Sequence, residues 1–187
     1  MNDVAVSVPA LDDLAEKIRE LLTRIVDPSV KLELDTPLMK GLGLDSLDMI
    51  ETSFALEEFF GFQFSGRNAI EELDRRIGNG RILDQGALTP LGREILLGRM
   101  PELRTVTLPL VLHPAEIPQY FTIRTYARVI KDYYDHAPRV CAATGEAVVL
   151  DGFALVSERT RRPVVAPTGD EILDSWLDAR ERELQER

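Results

Sequence analysis

The stretch Gly41-Leu42-Gly43-Leu44-Asp45-Ser46-Leu47-Asp48-Met49-Ile50-Glu51, continued by Thr52-Ser53-Phe54-Ala55-Leu56-Glu57-Glu58-Phe59-Phe60, decides the reading of this chain. Gly41 and Gly43 break regular structure ahead of it. Asp45 is a good N-cap for a helix from about Ser46 to Phe60, with Asp48 in its first turn. Leu47, Ile50 and Phe54 form one apolar stripe, Leu56 and Phe60 widen it, and Gly61 supplies the stop. Ser46 therefore stands at a helix N-terminus, where unpaired N–H groups and the helix dipole favour an anionic group.

Upstream, Leu11, Leu14, Ile18, Leu21, Leu22 and Ile25 recur at three- and four-residue steps, which predicts an amphipathic helix over about 11–26, ended by Asp27-Pro28. Residues 27–44 read as a long ordered loop anchored by Leu32, Leu34, Leu38, Leu42 and Leu44. Downstream, Asn68–Ile77 reads as a short helix and 78–87 as a loop. Thr89-Pro90 opens another helix that ends near Met100-Pro101. Residues 104–112 are extended in character despite Pro109, and Thr122 caps a helix through about Tyr134. Asp151-Gly152 marks a hairpin between Ala147–Leu150 and Phe153–Val156, with Val164–Ala166 as a possible third strand. The capping-box pattern Thr168-Gly-Asp-Glu171 opens a last helix, and the charged tail from Arg180 is expected to fray.

The central stretch resembles the acyl carrier protein family, whose pattern is a long loop, Asp-Ser-Leu at the start of the second helix, alternating acidic and apolar residues, and Leu-Glu-Glu-x-Phe. The matching positions are Asp45, Ser46, Leu47, Asp48, Glu51, Ala55, Leu56, Glu57, Glu58 and Phe60. The resemblance implies a mainly α fold: a four-helix acyl-carrier-type bundle, with an inserted helical segment and a small C-terminal β-hairpin plus helix. It implies that Ser46 receives 4′-phosphopantetheine from coenzyme A through a phosphopantetheinyl transferase. It also implies that Asp45, Leu47, Asp48 and Glu51 dock acyl-loading and acyl-processing enzymes through basic patches on those partners. Leu47, Ile50, Phe54 and Leu56 would border an acyl-chain pocket. The chain would then be a carrier rather than an enzyme, holding a thioester for lipid, fatty-acid or polyketide-type biosynthesis.

The chain departs from that family in its length. Phe121–Ile130 resembles the family's final helix, yet it lies about sixty residues after Gly61. The expected organisation is a carrier domain over 1–138, with core helices at about 11–26, 46–60 and 122–134 and an insertion within about 62–120. Residues 139–187 form an appendage. The competing reading closes the bundle with 68–78 or 90–99. Residues 139–167 resemble a zinc ribbon that has lost its ligands, with Cys141-Ala-Ala-Thr144-Gly145 and Ser157–Thr160 at the two knuckles. Zinc needs four N, S or O ligands, so no metal is expected. Cys141 is the only cysteine and reads as buried and inert; His113 and His136 read as structural. No catalytic constellation appears.

Charge narrows the partners. The net charge is −10, which argues against nucleic acid. Residues 1–60 hold 13 acidic and 5 basic side chains, whereas the remaining 127 hold 19 and 17. The acidity is concentrated in the N-terminal third, which steers basic partners. No apolar stretch is long enough for a membrane span, and the acidic N-terminus is unlike a secretory leader, so a cytoplasmic location is expected. Two other functions compete: an aminoacyl or peptidyl carrier of nonribosomal peptide assembly, and an unmodified interaction module on the carrier fold.

Overall fold

A computed structural model describes residues 8–186. It is mainly helical, with two small antiparallel strand pairs. The helices are α1 (Leu11–Leu22), α2 (Ser46–Phe60), α3 (Ala69–Ile77), α4 (Pro90–Arg99), α5 (Ile123–Asp135) and α6 (Gly169–Gln185). The strands are β1 (Leu83–Asp84), β2 (Ala87–Leu88), β3 (Val148–Asp151) and β4 (Ala154–Ser157). Two 3₁₀ segments, Pro101–Thr105 and Pro114–Tyr120, occupy the stretch between α4 and α5.

These side chains separate into two cores. The first gathers Leu14, Ile18 and Leu22 of α1, Met49, Leu56 and Phe60 of α2, and Ile123, Ala127, Ile130 and Tyr134 of α5. Helix α5 lies along α1, and Arg124 of α5 reaches Asp12 and Asp35. The loop over 27–44 closes one side: Leu32, Leu38 and Leu44 are buried, and Leu34 and Leu42 pack against them. Its backbone is stitched to the entry of α5, Leu38 N–H donating to Phe121 O at 2.8 Å and Arg124 N–H to Leu34 O at 3.2 Å. The second core gathers Ile70 and Leu73 of α3, Ile95 and Leu96 of α4, Leu103, Leu112 and Ile117, and Leu173, Leu177 and Leu184 of α6. Arg67 and Arg76 bind Asp174 and Asp178 across the α3–α6 contact.

Several elements differ from the expected ones. Helix α1 stops at Leu22, because Arg24 and Ile25 donate to Leu21 O and Leu22 O in tighter turns before Asp27-Pro28. Residues 104–112 form no strand: Pro101 and Pro109 bracket a 3₁₀ turn and an irregular run that touches β2 through Leu88 N–H and Leu112 O. The third hairpin strand reduces to one bridge, Val156 with Pro163. Helix α6 persists to Gln185 because Leu184 is buried and Arg180 pairs with Glu183.

Glu146 fastens the β3–β4 hairpin. Its Oε2 accepts from Arg159 N–H, Thr160 N–H and the Thr160 hydroxyl, at 3.1, 3.0 and 3.2 Å. Ser157 and Thr160 hydroxyls bond each other at 2.7 Å. Cys141 is buried in the facing turn, whose Gly145 N–H donates back to Cys141 O. The two knuckle turns are thus joined through a carboxylate. Among the described residues no cluster of His, Cys, Asp and Glu is placed to hold a metal ion, and no helix is long and apolar enough to cross a membrane. His113 Nδ1 meets Gly86 O and His136 Nδ1 meets Asp132 O, so both histidines tie backbone.

Candidate functional site

Ser46 is the first residue of α2 and is exposed. Its neighbours fix it in place. Leu44 and Met49 are buried on either side, and Gly43, with φ +79°, turns the loop into the helix. Asp45 Oδ1 accepts from Leu47 N–H at 2.7 Å and from Asp48 N–H at 3.0 Å. Asp48 Oδ2 accepts from Asp45 N–H at 2.8 Å, completing a reciprocal cap. Neither the Ser46 hydroxyl nor its N–H is bonded among the described residues. An exposed, unspent hydroxyl beside an unpaired N–H at the positive end of a 15-residue helix fits a phosphodiester.

The apolar residues of α2 fall on two faces. Met49, Thr52, Leu56 and Phe60 point into the first core. Leu47, Ile50 and Phe54 point outward, at 60, 51 and 65 % exposure. The four side chains expected to border one acyl pocket therefore do not meet: Leu56 is on the inner face and the other three form an outer stripe. A 100° step explains the ambiguity, since 47-50-54 and 49-52-56-60 both keep helical spacing. The outer stripe starts one residue after Ser46 and is edged by exposed Glu51 and Glu58. Glu51 makes no ion pair among the described residues, whereas Asp45 and Asp48 are committed to the cap. Glu57 accepts from Phe64 N–H at 2.7 Å and so holds the turn after α2.

Residues 12–74 match the family described as a phosphopantetheine attachment site. The chain carries a phosphopantetheine attachment domain. Such a domain is where 4′-phosphopantetheine is joined covalently, in keeping with the acyl carrier protein family. It is a carrier domain, a class not generally catalytic, that meets phosphopantetheinyl transferases and acyl enzymes. No curated protein and no solved structure matches the chain. The matched domain ends within α3, yet Ile70 and Leu73 of α3 are buried in the second core, while α5, beyond the match, lies on α1.

One cavity, of about 340 Å³, lies at the seam between this domain and the second core. Ser53 of α2, Thr125, Tyr126 and Val129 of α5, Leu96 of α4 and Ile172 of α6 are in its walls. Burial pushes the Tyr126 hydroxyl up, opposed by the neighbouring Ser53. Nothing local in sequence signals this cavity, because its walls come from five separated segments.

Proposed function

We propose that Ser46 is the attachment residue and that the protein carries an acyl group as a thioester for a specialised lipid or polyketide-type pathway. One observation carries this reading: within the matched domain, the exposed and unbonded hydroxyl at the start of α2 lies between Asp45 and Leu47. The prosthetic group supplies a thiol on a long arm. The chain's own residues supply the anchor, the cap that orders it, and a surface for partners. In the loading step, the Ser46 oxygen bonds to the pantetheine-bearing phosphorus of coenzyme A. The bond from that phosphorus to the adenylate side breaks, adenosine 3′,5′-bisphosphate leaves, and the hydroxyl proton passes to the transferase.

The outer stripe of α2 is the docking surface in this reading. Leu47, Ile50 and Phe54 offer apolar contact and Glu51 and Glu58 offer charge, which fits a partner with an apolar recess and a basic rim. The reading is tested by intact-protein mass spectrometry after incubation with coenzyme A and a broad-specificity transferase. An adduct on the native chain and none on Ser46→Ala is expected. An adduct retained by Ser46→Ala would move the site elsewhere.

A further inference from the structure

The loop from α3 to β1 carries Gly78-Asn79-Gly80, which sets a side-chain carboxamide beside a backbone amide that no side chain shields. Asparagine is among the thermolabile residues. The chain has three: Asn2, outside the described residues, Asn68 and Asn79. Asn68 is fully used. Its Oδ1 accepts from Ile70 N–H at 3.1 Å and Glu71 N–H at 3.3 Å, and its Nδ2 donates to Pro114 O at 3.2 Å. Asn79 and Gly80 are both exposed. Neither the Asn79 carboxamide nor the Gly80 N–H is hydrogen-bonded among the described residues.

The backbone at this turn is lightly held. Gly78, Asn79 and Gly80 have φ of +66°, +63° and +65°, a region that asparagine tolerates but side chains rarely enter. One backbone bond closes the turn, Arg81 N–H to Gly78 O at 3.5 Å, beyond the usual hydrogen-bond range. The space is open, since a Cβ added at Gly80 would meet only Leu83 O, at 3.6 Å. Local opening at such a tip costs little. It lets the Gly80 nitrogen swing towards Asn79 Cγ.

We propose that Asn79 is a site of self-modification, in which the Gly80 amide nitrogen displaces the side-chain amine. The Gly80 nitrogen bonds to Asn79 Cγ, the Cγ–Nδ2 bond breaks, and ammonia leaves with the amide proton. The product is a five-membered cyclic imide. Water then opens the ring at either carbonyl. Attack at Cγ gives aspartate on the original backbone, and attack at the main-chain carbon reroutes the backbone through Cγ as isoaspartate. No oxidant or enzyme enters. The Asp151-Gly152 turn is a different case: its carboxylate has no amine to release and pairs with Arg161 at 2.8 Å.

Either product weakens this end of the second core. It puts a negative charge one residue past Gly78, the C-cap of α3, against the negative pole of that helix. Asp74 of the last turns of α3 is already acidic there and accepts from Leu83 N–H at 3.0 Å.

The test incubates the full chain in mildly alkaline and mildly acidic buffer, digests it with trypsin, and reads the peptides 77–81 and 68–75 by mass. Isoaspartate is counted with a protein isoaspartyl methyltransferase and labelled S-adenosylmethionine. Peptide 77–81 is expected to exchange its amide for an acid, faster in alkali and with isoaspartate as the larger product, while 68–75 stays unchanged. Asn79→Gly, whose glycine takes the positive φ freely, should lose the methyltransferase signal. The modified chain, separated by anion exchange, should unfold at lower urea than the unmodified chain. A folded chain that stays intact at Asn79 while the free peptide converts would overturn the proposal. So would aspartate without isoaspartate, which marks direct hydrolysis. Equal urea midpoints would overturn the weakening of the second core.

Discussion

At the scale of single residues, Asp45 combines two roles that substitution can separate. It caps α2 through two backbone N–H groups, and it adds charge beside Ser46. Asn caps as well as Asp, whereas Ala does not and costs about 1 kcal/mol. Asp45→Asn is therefore expected to melt like the native protein, and Asp45→Ala lower. If the charge attracts a basic transferase, both variants load more slowly, and added salt narrows their difference from the native chain. Loading that tracks melting temperature alone would assign Asp45 to the cap. The start of α2 at Ser46 and its cap were legible in the sequence because capping is local: Asp45 and Asp48 meet across three positions. The seam cavity was not, since Ser53, Leu96, Val129 and Ile172 give no local sign of the segments that close over them.

Glu146 gives a residue-level dependence on pH. The backbone N–H of Thr160, then that of Arg159 and the Thr160 hydroxyl, hold its carboxyl below the usual carboxylate range, against the opposing effect of burial. The folded state thus favours the ionised form. This contribution to stability is present above the unfolded pKa, about 4.3, and is lost as pH falls through the lower folded value. The protection of the Arg159 and Thr160 amides, taken relative to their intrinsic exchange rates, should fall as the solution is acidified through that window, and Glu146→Gln should flatten the response. An unchanged acid response in Glu146→Gln would assign it to other carboxylates.

At the scale of elements, α2 shows what periodicity leaves undecided. Its limits, Ser46 and Phe60, follow from a cap and a stop, both local signals. Its inward face does not, because both faces are apolar and only α1 and α5 determine which one is covered. Leu56→Ala should cost about 2–5 kcal/mol in denaturant unfolding, as a buried large-to-small change. Phe54→Gln should stay within about 0.5 kcal/mol, as a surface change. Yet it should slow loading or acyl transfer if the outer stripe meets partner enzymes. A large stability loss in Phe54→Gln would return Phe54 to the core and remove it from the docking surface.

At the scale of the whole molecule, the question is where the carrier unit ends. We propose that α1, α2 and α5 form the carrier core and that 69–120 interrupts it, as the packing of α5 on α1 suggests. The sequence points to an insertion within about 62–120 through the likeness of Phe121–Ile130 to a closing helix. It did not show that α6 returns to α3, because Arg67 and Asp174 are 107 positions apart. That return makes a cut after Pro138 informative. It would remove Leu173, Leu177 and Leu184 from the second core and the partners of Arg67 and Arg76 on α6. Each fully buried leucine contributes about 1.5–3 kcal/mol, so the three together approach the whole stability of a typical domain, about 5–15 kcal/mol. Residues 1–138 alone are expected to unfold at much lower urea, with rapid amide exchange in α3 and α4. Exchange should be slower in α1, α2 and α5, whose core loses only Ile172 from α6 but also forfeits the hairpin cover from Val148 and Leu155. A fragment that keeps the native urea midpoint would instead make 139–187 a dispensable appendage. The seam cavity would then lose Ile172 and Leu173 without consequence for the fold.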